Sequence, residues 1–133
     1  MNNILIIGCG LLGSSLLRCI HKKKIAKKIF LYEKSKSNIS KIKKLQLPGI
    51  FIDNLDKRAI NYDLIIFCTP MSEYKNLILK INNFITPKTL ITDIGSSKVE
   101  TSRLIKKFLK KNIPWIQSPV SYTHLTLPTN PEV

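Results

Sequence analysis

Apolar positions along this chain follow two rhythms. Short runs that are apolar throughout alternate with longer stretches whose apolar residues recur at helical spacing. Asn3–Ile7, Lys28–Tyr32 and residues 50–52, 64–68, 90–92 and 113–116 have the length and composition of buried strands. Between them, residues 11–20 put Leu12, Leu16, Leu17 and Ile20 on one helical face. Residues 37–45 do the same with Ile39, Ile42 and Leu45, and residues 97–110 with Val99, Leu104, Ile105 and Phe108. Another helix is predicted through Tyr74, Leu77, Ile78 and Ile81, with Ser72 placed to cap it. Pro48-Gly49 marks a turn, and Thr69-Pro70 ends the strand before it. Strands without a polar face, alternating with helices, predict a parallel sheet covered on both sides. Right-handed crossovers then make it an open, doubly wound α/β fold. No internal repeat or linker interrupts the first 118 residues.

The composition agrees with one buried core. The chain has 133 residues, 44% of them apolar, which suits a single globular domain rather than a disordered one. No apolar run approaches the roughly 18–20 residues that span a bilayer, so no membrane role is expected. Leu5 to Cys9 loosely imitates a lipoprotein cleavage box, but no Lys or Arg precedes it and the apolar stretch is short. Cys9, Cys19 and Cys68 lack metal-ligand spacing, so reduced thiols in the cytoplasm are expected and no metal. Net charge is +14, which raises nucleic acid as a partner. However, the charge is nearly all lysine and is spread along the chain. Its densest cluster, Lys22 to Lys24 with Lys27 and Lys28, falls where a helix ends and complements the helix dipole. No nucleic-acid partner is therefore expected.

The chemistry concentrates just past the strands. Gly8-Cys9-Gly10-Leu11-Leu12-Gly13 is a G-x-G-x-x-G between a strand and a helix. Gly8 permits the tight turn, Gly10 lets backbone approach a diphosphate, and Gly13 lets the helix pack against the strand. Leu11 and Leu12 open the helix whose N-terminus faces the phosphates. The fold is thereby read as Rossmann-type. Glu33 lies at the end of the second strand, where a carboxylate can bind the adenosine ribose hydroxyls and repel a 2′-phosphate. This favours NAD. NADP stays open, because Lys34, Ser35 and Lys36 follow directly and can hold a phosphate. Thr69 and Pro70 sit at the carboxyl end of the next strand, where open parallel sheets bind ligands. Asp93-Ile94-Gly95-Ser96-Ser97-Lys98 again bridges a strand and a helix, with Ser96 or Ser97 able to cap the helix or face a ligand.

Together, Gly8 to Ser15, Thr69-Pro70 and Asp93 to Lys98 resemble the prephenate and arogenate dehydrogenases, over Met1 to about Ser118. The resemblance implies NAD(P)-dependent oxidation of prephenate or arogenate in tyrosine biosynthesis. Hydride passes from the hydroxyl-bearing ring carbon to the nicotinamide, carbon dioxide leaves and the ring becomes aromatic. Ser96 matches the family serine near the substrate hydroxyl. The small-molecule substrate is thus prephenate or arogenate, and the full-length protein is expected to be a homodimer. A different Rossmann reductase, of 3-hydroxyacid or imine type, is the nearest alternative. A non-catalytic NAD-binding or basic nucleic-acid-binding module is another.

Two departures qualify the resemblance. The family's catalytic His, in a His-Pro pair after the next strand, is absent: Trp115-Ile116-Gln117-Ser118 runs into Pro119. Moreover, Val120 to Thr129 matches the translation of a transposon-type sequencing adapter, GTC TCT TAT ACA CAT CTG ACG CTG CCG ACG. Residues 119–133 are therefore expected to be a non-native tail, and residues 1–118 an incomplete enzyme that is inactive alone. His124 falls in that tail and is not a catalytic candidate.

Overall fold

The computed structural model describes residues 1–8, 10–46, 48–55, 60–94 and 98–117. The expectations about Cys9, Gly95, Ser96, Ser97 and the segment from Ser118 onward lie outside the described residues. The elements run β1 (Asn3–Ile7), α1 (Leu11–Lys22), β2 (Lys28–Tyr32), α2 (Lys36–Lys44), β3 (Ile50–Phe51), β4 (Leu64–Phe67), α3 (Tyr74–Ile81), β5 (Leu90–Asp93), α4 (Lys98–Phe108) and β6 (Trp115–Gln117). The strands form one sheet in the order β3-β2-β1-β4-β5-β6, and every pairing is parallel. This is the doubly wound arrangement, with its switch point between β1 and β4.

The apolar continuity of β1 explains the two-sided cover. Its central residues are completely buried, but alternate ones enter different cores, as a strand's period of two requires. Ile4 and Ile6 join Leu16, Leu17 and Ile20 of α1 and Ile42 of α2. Leu5 and Ile7 join Tyr74, Leu77, Ile78 and Ile81 of α3, with Leu104 and Phe108 of α4 packed at the margin. At the opposite end from the motifs, Asp63 Oδ2 accepts the backbone N–H groups of Asn2 and Asn3 at 2.7 and 3.0 Å, tying the start of β1 to that of β4. The Asn3 and Asn2 hydrogen bonds hold the Asp63 carboxyl below the usual range.

Several expectations change in detail. Leu12, Leu45 and Val99 share helical spacing with core residues but are 41%, 52% and 78% exposed. All three sit at helix ends. In α4 the deeply buried residue is instead Thr101, whose hydroxyl lies 3.6 Å from Met71 Sδ. Ser72 does not cap α3. It lies inside a 3-10 turn, Met71–Glu73, that runs directly into the helix, and the cap position is Glu73 without a side-chain hydrogen bond. β5 extends one residue beyond its apolar run, to Asp93. The basic cluster does fall between Lys22, which ends α1, and Lys28, which opens β2.

Candidate functional site

Strand register brings the motifs to one rim. Tyr32, Ile7, Phe67, Asp93 and Gln117 are partners in a continuous row across five strands. Each motif starts at its strand's member of that row or within two residues after it. Gly8, Glu33, Thr69 and Asp93 therefore lie along one rim of the sheet although they are far apart in sequence. The row continues one step further: Gly8 N–H donates to Tyr32 O at 2.8 Å, Cys68 N–H to Ile7 O at 2.7 Å, and Ile94 N–H to Phe67 O at 3.1 Å.

The three glycines have different reasons for lacking a side chain. Gly8 has φ +93°, and a Cβ there would lie 2.7 Å from Thr69 Cγ2 and 3.0 Å from the Cys68 carbonyl carbon. Both the conformation and the space exclude a side chain. A Cβ on Gly13 would overlap the Gly8 carbonyl oxygen, so α1 packs onto the end of β1 backbone to backbone. Gly10 is the opposite case. Its φ of −75° suits any residue, and a Cβ there would meet nothing within 4 Å. Neither conformation nor packing demands glycine at this position. Beyond glycine's ordinary preference at an N-cap, what the position leaves is room for something outside the chain.

That room adjoins the start of α1. Gly10 is its N-cap and supplies no side chain to the first-turn N–H groups, and that turn holds no acidic residue. Such a terminus carries unsatisfied donors and partial positive charge. Beside it, Thr69 Oγ1 is buried and has no hydrogen-bond partner among the described residues. An orphaned buried hydroxyl costs roughly 1–3 kcal/mol, which a bound acceptor or donor would recover. Pro70 stands exposed next to it and opens the 3-10 turn. A groove of about 340 Å³ continues from Gly10 between α1 and α2, past Ser14, Arg18, Asn38 and Lys41. A cavity of about 510 Å³ lined by Tyr62, Asp63 and Thr89 lies at the far ends of β4 and β5, away from every motif.

Glu33 is half-buried and turned onto the start of α2. Its Oε2 accepts from Ser35 N–H at 2.9 Å and its Oε1 from Asn38 Nδ2 at 3.4 Å. Ser35 Oγ caps the helix, accepting from Asn38 N–H at 3.2 Å. Lys34 reaches away from this cluster to Glu73, with 3.3 Å between Nζ and Oε1.

Sequence reasoning missed a buried network at the end of β5. Asp93 is 3% exposed, and its carboxylate accepts from Tyr74 Oη at 3.0 Å and Trp115 Nε1 at 3.3 Å. Burial and the Asp93 charge push the Tyr74 phenol well above its ordinary value. The available signal was a carboxylate directly after an apolar strand, because a buried charge must find donors. Among the described residues, no cluster of His, Cys, Asp and Glu could hold a metal ion, and no helix is long and apolar enough to cross a membrane.

A parallel sheet of this order, with a side-chain-free corner at its switch point, defines a Rossmann-type domain. The chain belongs to the family described as prephenate dehydrogenase, nucleotide-binding domain, whose model matches residues 16–121. The match begins after the glycine corner, so the corner stands on its own geometry. A curated relative, the cyclohexadienyl dehydrogenase of Zymomonas mobilis, is 26% identical over 129 residues, covering 97% of this chain and 40% of that protein. Among solved structures, the Aquifex aeolicus prephenate dehydrogenase in complex with hydroxyphenyl propionate and NAD+ superposes with a TM-score of 0.77 at 22% identity. It covers 91% of this chain and 42% of that one. An imine reductase from Myxococcus stipitatus superposes with a TM-score of 0.66 at 14% identity, over 88% of this chain and 40% of that one. At these identities the superpositions show the fold alone. The chain spans about 40% of the length of these relatives.

Proposed function

We propose that this chain is the NAD-binding domain of a dehydrogenase that oxidises prephenate or arogenate with loss of carbon dioxide. One observation carries the reading: Gly8 and Gly13 are glycines for packing, whereas Gly10 is a glycine facing open space beside an uncapped helix start. A dinucleotide's diphosphate fits that description. Gly10 and the opening turn of α1, including Leu11 and Leu12, would hold the diphosphate. Glu33, already oriented by Ser35 and Asn38, would accept the adenosine ribose hydroxyls. Thr69 and Pro70 would line the middle of the crevice, and the buried Thr69 hydroxyl would gain a partner. A dinucleotide bound there would supply the acceptor for the hydride of the substrate's carbinol carbon. Asp93, fixed by Tyr74 and Trp115, would anchor the segment that carries Ser96 toward the substrate hydroxyl.

The same reading makes the full-length protein a cytoplasmic homodimer acting on a small molecule, with no nucleic acid or membrane partner. From these 133 residues it expects cofactor binding without turnover. Calorimetric titration with NAD tests the first half, and absence of a binding heat from folded protein would reject the reading. Prephenate-dependent NADH formation by the chain alone would reject the second half.

A further inference from the structure

The site's selectivity between NAD and NADP rests on more than Glu33. A 2′-phosphate on the adenosine ribose would arrive at the start of α2, where two donors and the nearest cation are already engaged. Ser35 N–H and Asn38 Nδ2 donate to Glu33, and Ser35 Oγ accepts from Asn38 N–H. The nearest cation, Lys34, is paired with Glu73. Lys36, exposed in the first turn of α2, and Arg18 and Lys41, which line the groove beside Asn38, have no ion-pair partner among the described residues.

The Lys34–Glu73 pair differs from the other contacts in where its halves come from. Lys34 follows β2, and Glu73 ends the turn that follows β4. In the sheet β1 lies between those strands, so the pair links the segments that flank β1 on either side. With side chains 55% and 35% exposed, it contributes little to stability. What it does control is whether the Lys34 ammonium faces a carboxylate or stands ready for a phosphate. We propose that Glu73 is a selectivity residue, which disfavours NADP by neutralising Lys34 from the far lip of the crevice. This inference rests on the NAD-binding reading above.

The test is the ratio of NADP to NAD dissociation constants for the full chain, measured by calorimetry for wild type, Glu73→Gln, Lys34→Gln and the double variant, with Glu73→Ala as a second removal of the carboxylate. Wild type is expected to prefer NAD. An exposed pair is worth up to about 1 kcal/mol, so releasing Lys34 should tighten NADP binding about fivefold. NAD binding should change by less than about twofold, because no 2′-phosphate is present to use the cation. The gain should vanish in the double variant, since it acts through Lys34, while Lys36 sets a background common to all. An unchanged ratio in Glu73→Gln and Glu73→Ala, with NAD still bound, overturns this inference and leaves the NAD-binding reading intact. A gain that survives Lys34→Gln also overturns it, by making the effect one of overall charge. Binding of neither dinucleotide by folded wild type rejects both, and wild-type preference for NADP rejects the assigned selectivity.

Discussion

Replacing Gly10 and Gly13 by alanine in turn should separate recognition from folding. The two glycines are three positions apart, yet the structure assigns them opposite constraints. At Gly13 a methyl group would enter the Gly8 carbonyl oxygen, a backbone atom held in the sheet ladder by Gly8 N–H to Tyr32 O. Overpacking of this kind costs about 1–3 kcal/mol, and contact with fixed backbone belongs at the upper end. Alanine's better helix propensity returns up to about 1 kcal/mol, leaving a net loss of about 1–2 kcal/mol. At Gly10 the methyl group would meet nothing within 4 Å, and φ already suits alanine. Losing a preferred N-cap costs about 0.5–1 kcal/mol, and the stiffer unfolded chain offsets about the same amount. Glycine-to-alanine at position 10 should therefore be close to neutral for folding.

Binding should reverse that order of selectivity. A methyl group at position 10 occupies the space assigned to the diphosphate and prevents at least one charge-assisted backbone hydrogen bond. Such a bond is worth about 1.5–3 kcal/mol, or roughly 10- to 150-fold in affinity. The assays are urea unfolding followed by circular dichroism and NAD titration by calorimetry on the same samples. With a urea slope of about 1–3 kcal/mol/M, the Gly13→Ala loss should lower the midpoint by about 0.3–2 M. Gly10→Ala should leave the midpoint unmoved while NAD binding falls at least tenfold. If Gly10→Ala unfolds as early as Gly13→Ala, or binds NAD like wild type, the open space at Gly10 is not a ligand's place.

Two further predictions concern the buried phenols. Tyr74→Phe removes a donor from the buried Asp93 carboxylate and should cost about 1.5–3 kcal/mol in urea unfolding. It should also shift the emission of Trp115, the sole tryptophan, which donates to the same carboxylate; unchanged stability and emission would mean that the network is not formed. Burial pushes the Tyr62 phenol from 10.0 up to about 12. An acid whose folded value is raised contributes stability that is complete below its unfolded value and is lost as pH rises through the folded one. Urea midpoints should therefore fall between pH 10 and about 12, and Tyr62→Phe should make that fall shallower. An identical slope in the variant would place the phenol in water.

The sheet was legible because its central strands β1 and β4 are buried on both faces, so each stands out as an apolar run whatever its register. Helix faces were less legible at their ends. The spacing that groups Leu12 with Leu16, or Val99 with Leu104, says which side of a helix is apolar. It does not say how far along the helix the buried face extends, and Leu12 and Val99, in the first turns of their helices, lie exposed. Asp93 ended the predicted strand because it is charged, yet its backbone continues the ladder and its carboxylate is satisfied from α3 and β6. Ser72 read as a cap because of its residue type alone. The 3-10 turn that absorbs it depends on how Pro70 enters α3, which no local preference encodes.

The site divides along a similar line. Its glycine corner acts through backbone, and backbone exposure leaves a trace in sequence because the side chain must be missing at fixed intervals. Selectivity acts through side chains that meet only in the fold. Nothing near Lys34 indicates that its partner lies thirty-nine residues later (73 − 34), and nothing near Glu73 indicates that a cation faces it from two strands away. A reading of Lys34, Ser35 and Lys36 as a phosphate cluster is reasonable on composition. In three dimensions Ser35 Oγ accepts from Asn38 N–H and Lys34 is paired with Glu73, while Lys36 stays unpaired among the described residues. Cofactor preference in this domain is then a property of the pairing across the crevice, and the same local sequence with a neutral residue at position 73 should read differently.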